Sequence, residues 1–139
     1  MTRGYSIIDH PSDLGIEARG ESLPEAFEEA AAGLMGLIVD PLSVGTTEAR
    51  DITVTGDDIE QLLVKWLSEI LFLYDGKHFV PKAFKIYELT PHVVRANILG
   101  EPFLEGYHTT RIDVKAVTYH QISVMETSRG VLLRVFLDI

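Results

Sequence analysis

The sequence predicts an α+β fold: one domain over residues 1–139, in which a mixed, mostly antiparallel sheet packs against two amphipathic helices. Two segments repeat apolar residues every three or four positions, as helices with one buried face do. Several others alternate apolar and polar residues, the period of a half-buried strand. Strands and helices do not take turns as regular βαβ units, which argues against a parallel sheet. No fixed-period repeat, low-complexity tract or linker rich in Pro, Gly or Ser interrupts the chain.

The chain opens on a hairpin. Tyr5 to Asp9 and Leu14 to Arg19 flank Pro11, and Leu14, Ile16 and Ala18 alternate with Gly15, Glu17 and Arg19. Gly20 breaks the strand. Ser22 then supplies an N-cap hydroxyl, Pro24 a first-turn proline, and Glu25 a charge that suits the helix dipole. Leu23, Phe27, Ala30, Ala31, Leu34, Leu37 and Ile38 line one face of a helix that ends before Pro41. Ile52 and Val54 alternate with polar neighbours in a strand that stops at Gly56, and Asp57-Asp58 caps a second helix. That helix carries the widest apolar stripe: Ile59, Leu62, Leu63, Trp66, Leu67, Ile70, Leu71 and Tyr74, ending at Asp75-Gly76. Alternating segments follow near Ala83 to Leu89 and Val93 to Leu99. Longer ones run from Ile112 to Thr127 and Val131 to Asp138, joined at Ser128-Arg129-Gly130.

Composition restricts the chemistry. A chain of 139 residues, 46% hydrophobic and 24% charged, buries a real core. The N-terminal stretch lacks the order of a signal peptide, and no apolar run is long enough to span a bilayer, so a soluble, cytoplasmic protein without a membrane partner is expected. There are no cysteines, so any metal must be held by oxygen or imidazole. Carboxylates number 21 against 12 Lys and Arg, a net charge of -9. Proteins that grip RNA alone present a basic patch, and here only Lys77, Lys82 and Lys85 form even a loose cluster. RNA would be held through a partner. Gly33 and Gly36 fall inside the first helix, so no loop cradles a phosphate.

Candidate chemistry gathers at two acidic loci near strand ends. The first hairpin turns through Asp9-His10-Pro11-Ser12-Asp13, with His10 beside Asp13. Equal steps back from Ser128-Arg129 set Asp138 roughly opposite Tyr119 and His120. Asp13, Asp138 and Ile139 offer carboxylate and main-chain oxygens of the kind that Ca²⁺ or Mg²⁺ requires. Turn chemistry accounts for the same residues without a metal, since Asp and Ser favour turns and a terminal Asp-Ile can simply be a strand running out. His120 is a metal neighbour, a proton carrier or an ordinary strand histidine. Glu69 pairs with Lys65 along the second helix, and Trp66 belongs to the core.

Four segments in order weight these alternatives: Asp9 to Ile16, Leu62 to Leu71, Val114-Lys115-Ala116-Val117-Thr118-Tyr119-His120, and Asp138-Ile139. Together they resemble the archease family over almost the whole chain. Pro11 and Ser12 stand where family members carry Thr and Ala, and neither is a ligand position. The resemblance implies an accessory protein of the GTP- and manganese-dependent tRNA-splicing RNA ligase, one that promotes ligase guanylylation and multiple turnover. It implies calcium as the bound ion, on Asp13, Asp138 and the main-chain carbonyl of Ile139. Lys115 would meet a phosphate or a ligase carboxylate, with His10 and His120 as further partner-facing candidates. An acidic activator suits a ligase with a basic RNA channel. The competing expectations are a metal-dependent phosphohydrolase or nuclease, and a general chaperone or adaptor for tRNA-modifying enzymes.

Overall fold

The computed structural model describes residues 1–9 and 13–139. In chain order the elements are β1 (Gly4–Asp9), β2 (Asp13–Gly20), α1 (Leu23–Ile38), a 3-10 turn at Pro41–Ser43, β3 (Glu48–Thr55) and α2 (Ile59–Asp75). Then come β4 (Phe79–Leu89), β5 (Val93–Pro102), β6 (Ala116–Val117), β7 (Ser123–Thr127) and β8 (Gly130–Asp138). Among the described residues every strand pairing is antiparallel, and the strands divide between two sheets. One has the order β1-β2-β8-β6, with β7 also on β8, and the other β3-β5-β4.

Local chemistry sets both helix starts. Ser22 Oγ accepts from the Glu25 N–H at 3.4 Å, and Glu25 Oε1 reaches back to the Glu21 N–H at 3.1 Å. At α2, Asp58 Oδ1 accepts from the Gln61 N–H while Gln61 Oε1 accepts from the Asp57 N–H. The buried faces then meet. Phe27, Ala30, Leu34, Leu62, Leu63, Trp66 and Ile70 share one cluster with Ile16, Ile98 and Leu133 from the sheets. Trp66 is wholly buried, and its Nε1–H donates to the Phe27 carbonyl at 2.9 Å, which fastens α2 to α1. Gly33 serves packing, because a Cβ there would lie 3.0 Å from Cδ2 of Tyr5 and 3.1 Å from Cγ2 of Ile16.

The predicted strand from Ile112 to Thr127 does not form as one piece. A helix leaves its last carbonyls without partners, and the segment after β5 supplies them for α1. The Arg111 N–H donates to Ile38 O at 2.7 Å, the Ile112 N–H to Leu37 O at 3.0 Å, and the Arg111 guanidinium to Gly36 O at 2.9 Å. Arg111 also pairs with Asp40 at 3.3 Å, so a cation sits where the helix dipole favours one. Backbone donors spent on a helix end cannot build a sheet ladder. Only β6 and β7 remain of the expected strand, with a turn between them where Gln121 has φ 50°.

Candidate metal centre

The site is built on β8, the strand shared by β2 on one side and by β6 and β7 on the other. Its register with β2 sets Asp13 directly opposite Asp138, Gly15 opposite Phe136 and Glu17 opposite Arg134. Side chains facing each other across an antiparallel pair have Cβ atoms about 5 Å apart and point to the same face. Two carboxylates therefore stand side by side at the end of the sheet, on the face away from Val135 and Leu137 in the core. Oδ1 of Asp13 is withdrawn from solvent, whereas Asp138 and Ile139 are exposed. Further along this face Arg134 and Glu17 form an ion pair at 3.0 Å, so opposite charges occupy one cross-strand position and like charges the other.

Asp138 does not lie opposite Tyr119 or His120. The register of β7 on β8, continued, would give that arrangement, but Ala116 takes the position. The turn between β6 and β7 absorbs the difference: the Ile122 N–H donates to Tyr119 O at 3.3 Å, and Thr118 folds back on β8. Its N–H and its hydroxyl both donate to Phe136 O at 3.0 Å, and the hydroxyl accepts from the His120 N–H at 3.2 Å. His120 is thereby folded over the sheet face. Its ring meets Phe136 edge-on with centroids 5.9 Å apart, one side-chain step from Asp138 on the same face. The turn thus sets His120 on the sheet face that carries Phe136 and Asp138, by a route that counting along straight strands misses.

Lys115 is tied to the same strand end, since its N–H donates to the Asp138 carbonyl at 2.8 Å. Its side chain is exposed. The hydrogen bonds of the 118–122 turn and the capping of α1 by residues 111–112 fix this segment from both sides. His10, Pro11 and Ser12 lie outside the described residues. Glu69 is half-buried on α2 and Trp66 is core, away from this face.

The donor set suits a hard divalent cation. It offers two carboxylates and the main-chain oxygen of Ile139, with no thiolate, and Asp138 O is already engaged by Lys115. Among the described residues no group of three or more His, Cys, Asp or Glu side chains could hold a metal, so water and main-chain oxygen would complete any coordination. Like charges directly across a ladder destabilise it, and a cation between them reverses that sign.

A further acidic locus, apart from the two read from the sequence, has no sequence signature. Glu101, at the end of β5, and His108, in the loop after it, are hydrogen-bonded at 2.7 Å with side chains 14% and 1% exposed. Glu101 Oε2 also accepts from the Gly45 N–H at 3.0 Å. That bond first, and the one from His108 second, hold the Glu101 carboxyl below the usual carboxylate range.

The chain is a small α+β protein whose two antiparallel sheets pack on two helices, with two aspartates set opposite one another at adjoining strand ends. Residues 5–139 match the model of the archease protein family (MTH1598/TM1083), and the chain belongs to that family. The protein archease of Saccharolobus islandicus is 37% identical over 138 residues, covering 99% of both chains. That of Methanosarcina acetivorans is 33% identical over 139 residues, covering 97% of this chain and 95% of the relative. Among solved structures, protein 1598 of Methanobacterium thermoautotrophicum superposes with a TM-score of 0.83 at 33% identity, covering 98% of this chain and 99% of that one. An archease of Thermotoga maritima, described as a possible chaperone, shares the fold with a TM-score of 0.67 at 18% identity over 95% and 94% of the two chains. No helix among the described residues is long and apolar enough to cross a membrane.

Proposed function

We propose that this protein is a calcium-dependent activator of a GTP- and manganese-dependent RNA ligase of tRNA splicing, raising the rate of ligase guanylylation and permitting multiple turnover in the cytoplasm. The observation that carries this is the direct pairing of Asp13 with Asp138, two like charges that a divalent cation would reconcile. Bound there, the ion would supply positive charge and rigidity to the adjoining ends of β2 and β8. Asp13 and Asp138 would hold it with the main-chain oxygen of Ile139. Lys115, exposed and joined to Asp138 through its N–H, would offer its ammonium group to a phosphate or carboxylate of the ligase. His120 would border that contact. RNA would be met only through the ligase, in keeping with a net charge of -9.

Guanylylation of the ligase, followed with and without this protein at matched GTP and Mn²⁺, tests the proposal. Substoichiometric amounts should turn a single-turnover ligase into a multiple-turnover one, and Asp13→Ala should abolish the effect. An unchanged rate, or an Asp13→Ala variant as active as the wild type, would overturn it. The chaperone reading has in its favour the description attached to the Thermotoga relative, and a pull-down separates the two: one dominant ligase supports activation, several unrelated clients the chaperone. A metal-dependent hydrolase is less well supported, because two aspartates are a thin ligand set for activating water.

A further inference from the structure

A cavity of about 340 Å³ opens beside the Glu101–His108 pair, walled by Phe103, Leu104 and Tyr107. Leu104 and Tyr107 are each 62% exposed, although both are large and apolar enough to be costly to leave in water. The ring of His108 is fixed between Phe103, stacked at 5.6 Å, and Tyr107, edge-on at 5.1 Å. Its Nδ1 accepts from the Leu104 N–H at 3.0 Å, so the proton rests on Nε2, which donates to Glu101. The histidine is therefore neutral. Glu101 consequently keeps a full negative charge with no cationic partner among the described residues, although its side chain is mostly buried.

Both hydrogen bonds to Glu101 fall on Oε2. Oε1 faces Gly45, where a Cβ would lie 2.9 Å from it, so any other residue at that position would crowd the oxygen. The cavity thus combines one carboxylate oxygen free of donors among the described residues, aromatic and aliphatic walls, and no Lys or Arg in its lining, its one imidazole being the neutral His108. A phosphorylated ligand would find nothing to balance its charge. A guanidinium would find both a carboxylate and ring faces, the two surfaces it binds best. The volume is at the small end of the range of about 300–1,000 Å³ for ligand pockets, enough for one long side chain. The net charge of -9 selects a basic partner surface.

We propose that this cavity is a socket for an arginine side chain of a partner protein, the guanidinium bonding Oε1 of Glu101 and the stem lying against Leu104 and Tyr107. It is a separate surface from the paired aspartates and does not require the partner to be a ligase.

The test titrates the ¹⁵N-labelled full chain with N-acetyl-L-arginine amide, its neutral citrulline analogue and guanosine, following amide shifts. Arginine amide should give saturable shifts confined to Gly45, Leu104, Tyr107 and His108, with the citrulline analogue about tenfold weaker for want of the charge-assisted bond. Tyr107→Ala, at an exposed position that leaves the core intact, should weaken binding severalfold. Glu101→Gln should weaken it further. Absent shifts, shifts spread over the acidic surface, equal binding of citrulline, guanosine binding at the same amides in place of arginine, or indifference to Tyr107→Ala would each overturn the proposal.

Discussion

The paired aspartates at the ends of β2 and β8 and the single Glu101 at the end of β5 treat negative charge in opposite ways. Glu101 is given donors: a backbone N–H from Gly45 and the Nε2–H of His108 converge on one oxygen and lower its pKa. Asp13 and Asp138 are brought together by a register that puts one carboxylate-bearing residue opposite the other. A carboxylate held by dipoles is stable without an ion, whereas like charges directly opposite on adjacent strands destabilise the ladder. The contrast separates a carboxylate held by two donors on one oxygen from a pair of carboxylates brought together by strand register.

Calcium titration should split the two regions most widely. At about 100 times Kd, calcium should stabilise the wild type by about 2.7 kcal/mol, a rise in Tm of roughly 10 °C, measured by calorimetry. In Asp138→Asn the rise should vanish, while the calcium-free variant melts slightly above the calcium-free wild type. Next in size, Glu101→Leu leaves the Gly45 N–H and His108 Nε2–H without an acceptor and should destabilise by about 2 kcal/mol in denaturant melts, with the calcium response intact.

The pH dependence sharpens the same contrast. The folded pKa of Glu101 is lowered, so its contribution is present above the unfolded carboxylate pKa and is lost as pH falls through the folded value. Stability curves in calcium-free buffer should therefore fall on the acid side, below about pH 4, and Glu101→Gln should flatten that flank. The smallest effect serves as a control. Burial first, and Asp113 second, raise the Asp75 pKa at the last residue of α2, where the helix dipole also disfavours an anion. A raised folded pKa means that ionised Asp75 weakens the fold at neutral pH, so Asp75→Asn should stabilise by a few tenths of a kcal/mol, roughly, without altering the calcium response.

Local order fixed much of this molecule in advance. Ser22 and Asp58 cap the helices predicted from them, Trp66 lies in the core, and the first hairpin pairs Asp9 with Leu14 and Ile7 with Ile16. Such features depend on residues a few positions apart, where caps, turns and periodicity act through contacts that the chain order itself guarantees. Asp13, Asp138 and Lys115 were legible as candidates by their types and by their place in four family segments.

Their arrangement was settled only in three dimensions. The alternation near Ile112 suits a strand equally well as an extended segment whose N–H groups close the end of α1, and only the nearness of Gly36, Leu37 and Ile38 decides between them. The turn at Gln121 then displaces the register, setting Ala116 rather than Tyr119 against Asp138 and folding His120 onto Phe136. Glu101 and His108 meet across a loop no pattern marks. Periodicity assigns a residue to a face, but which strand lies beside it depends on where remote donors and acceptors find partners, and that is a property of the whole fold.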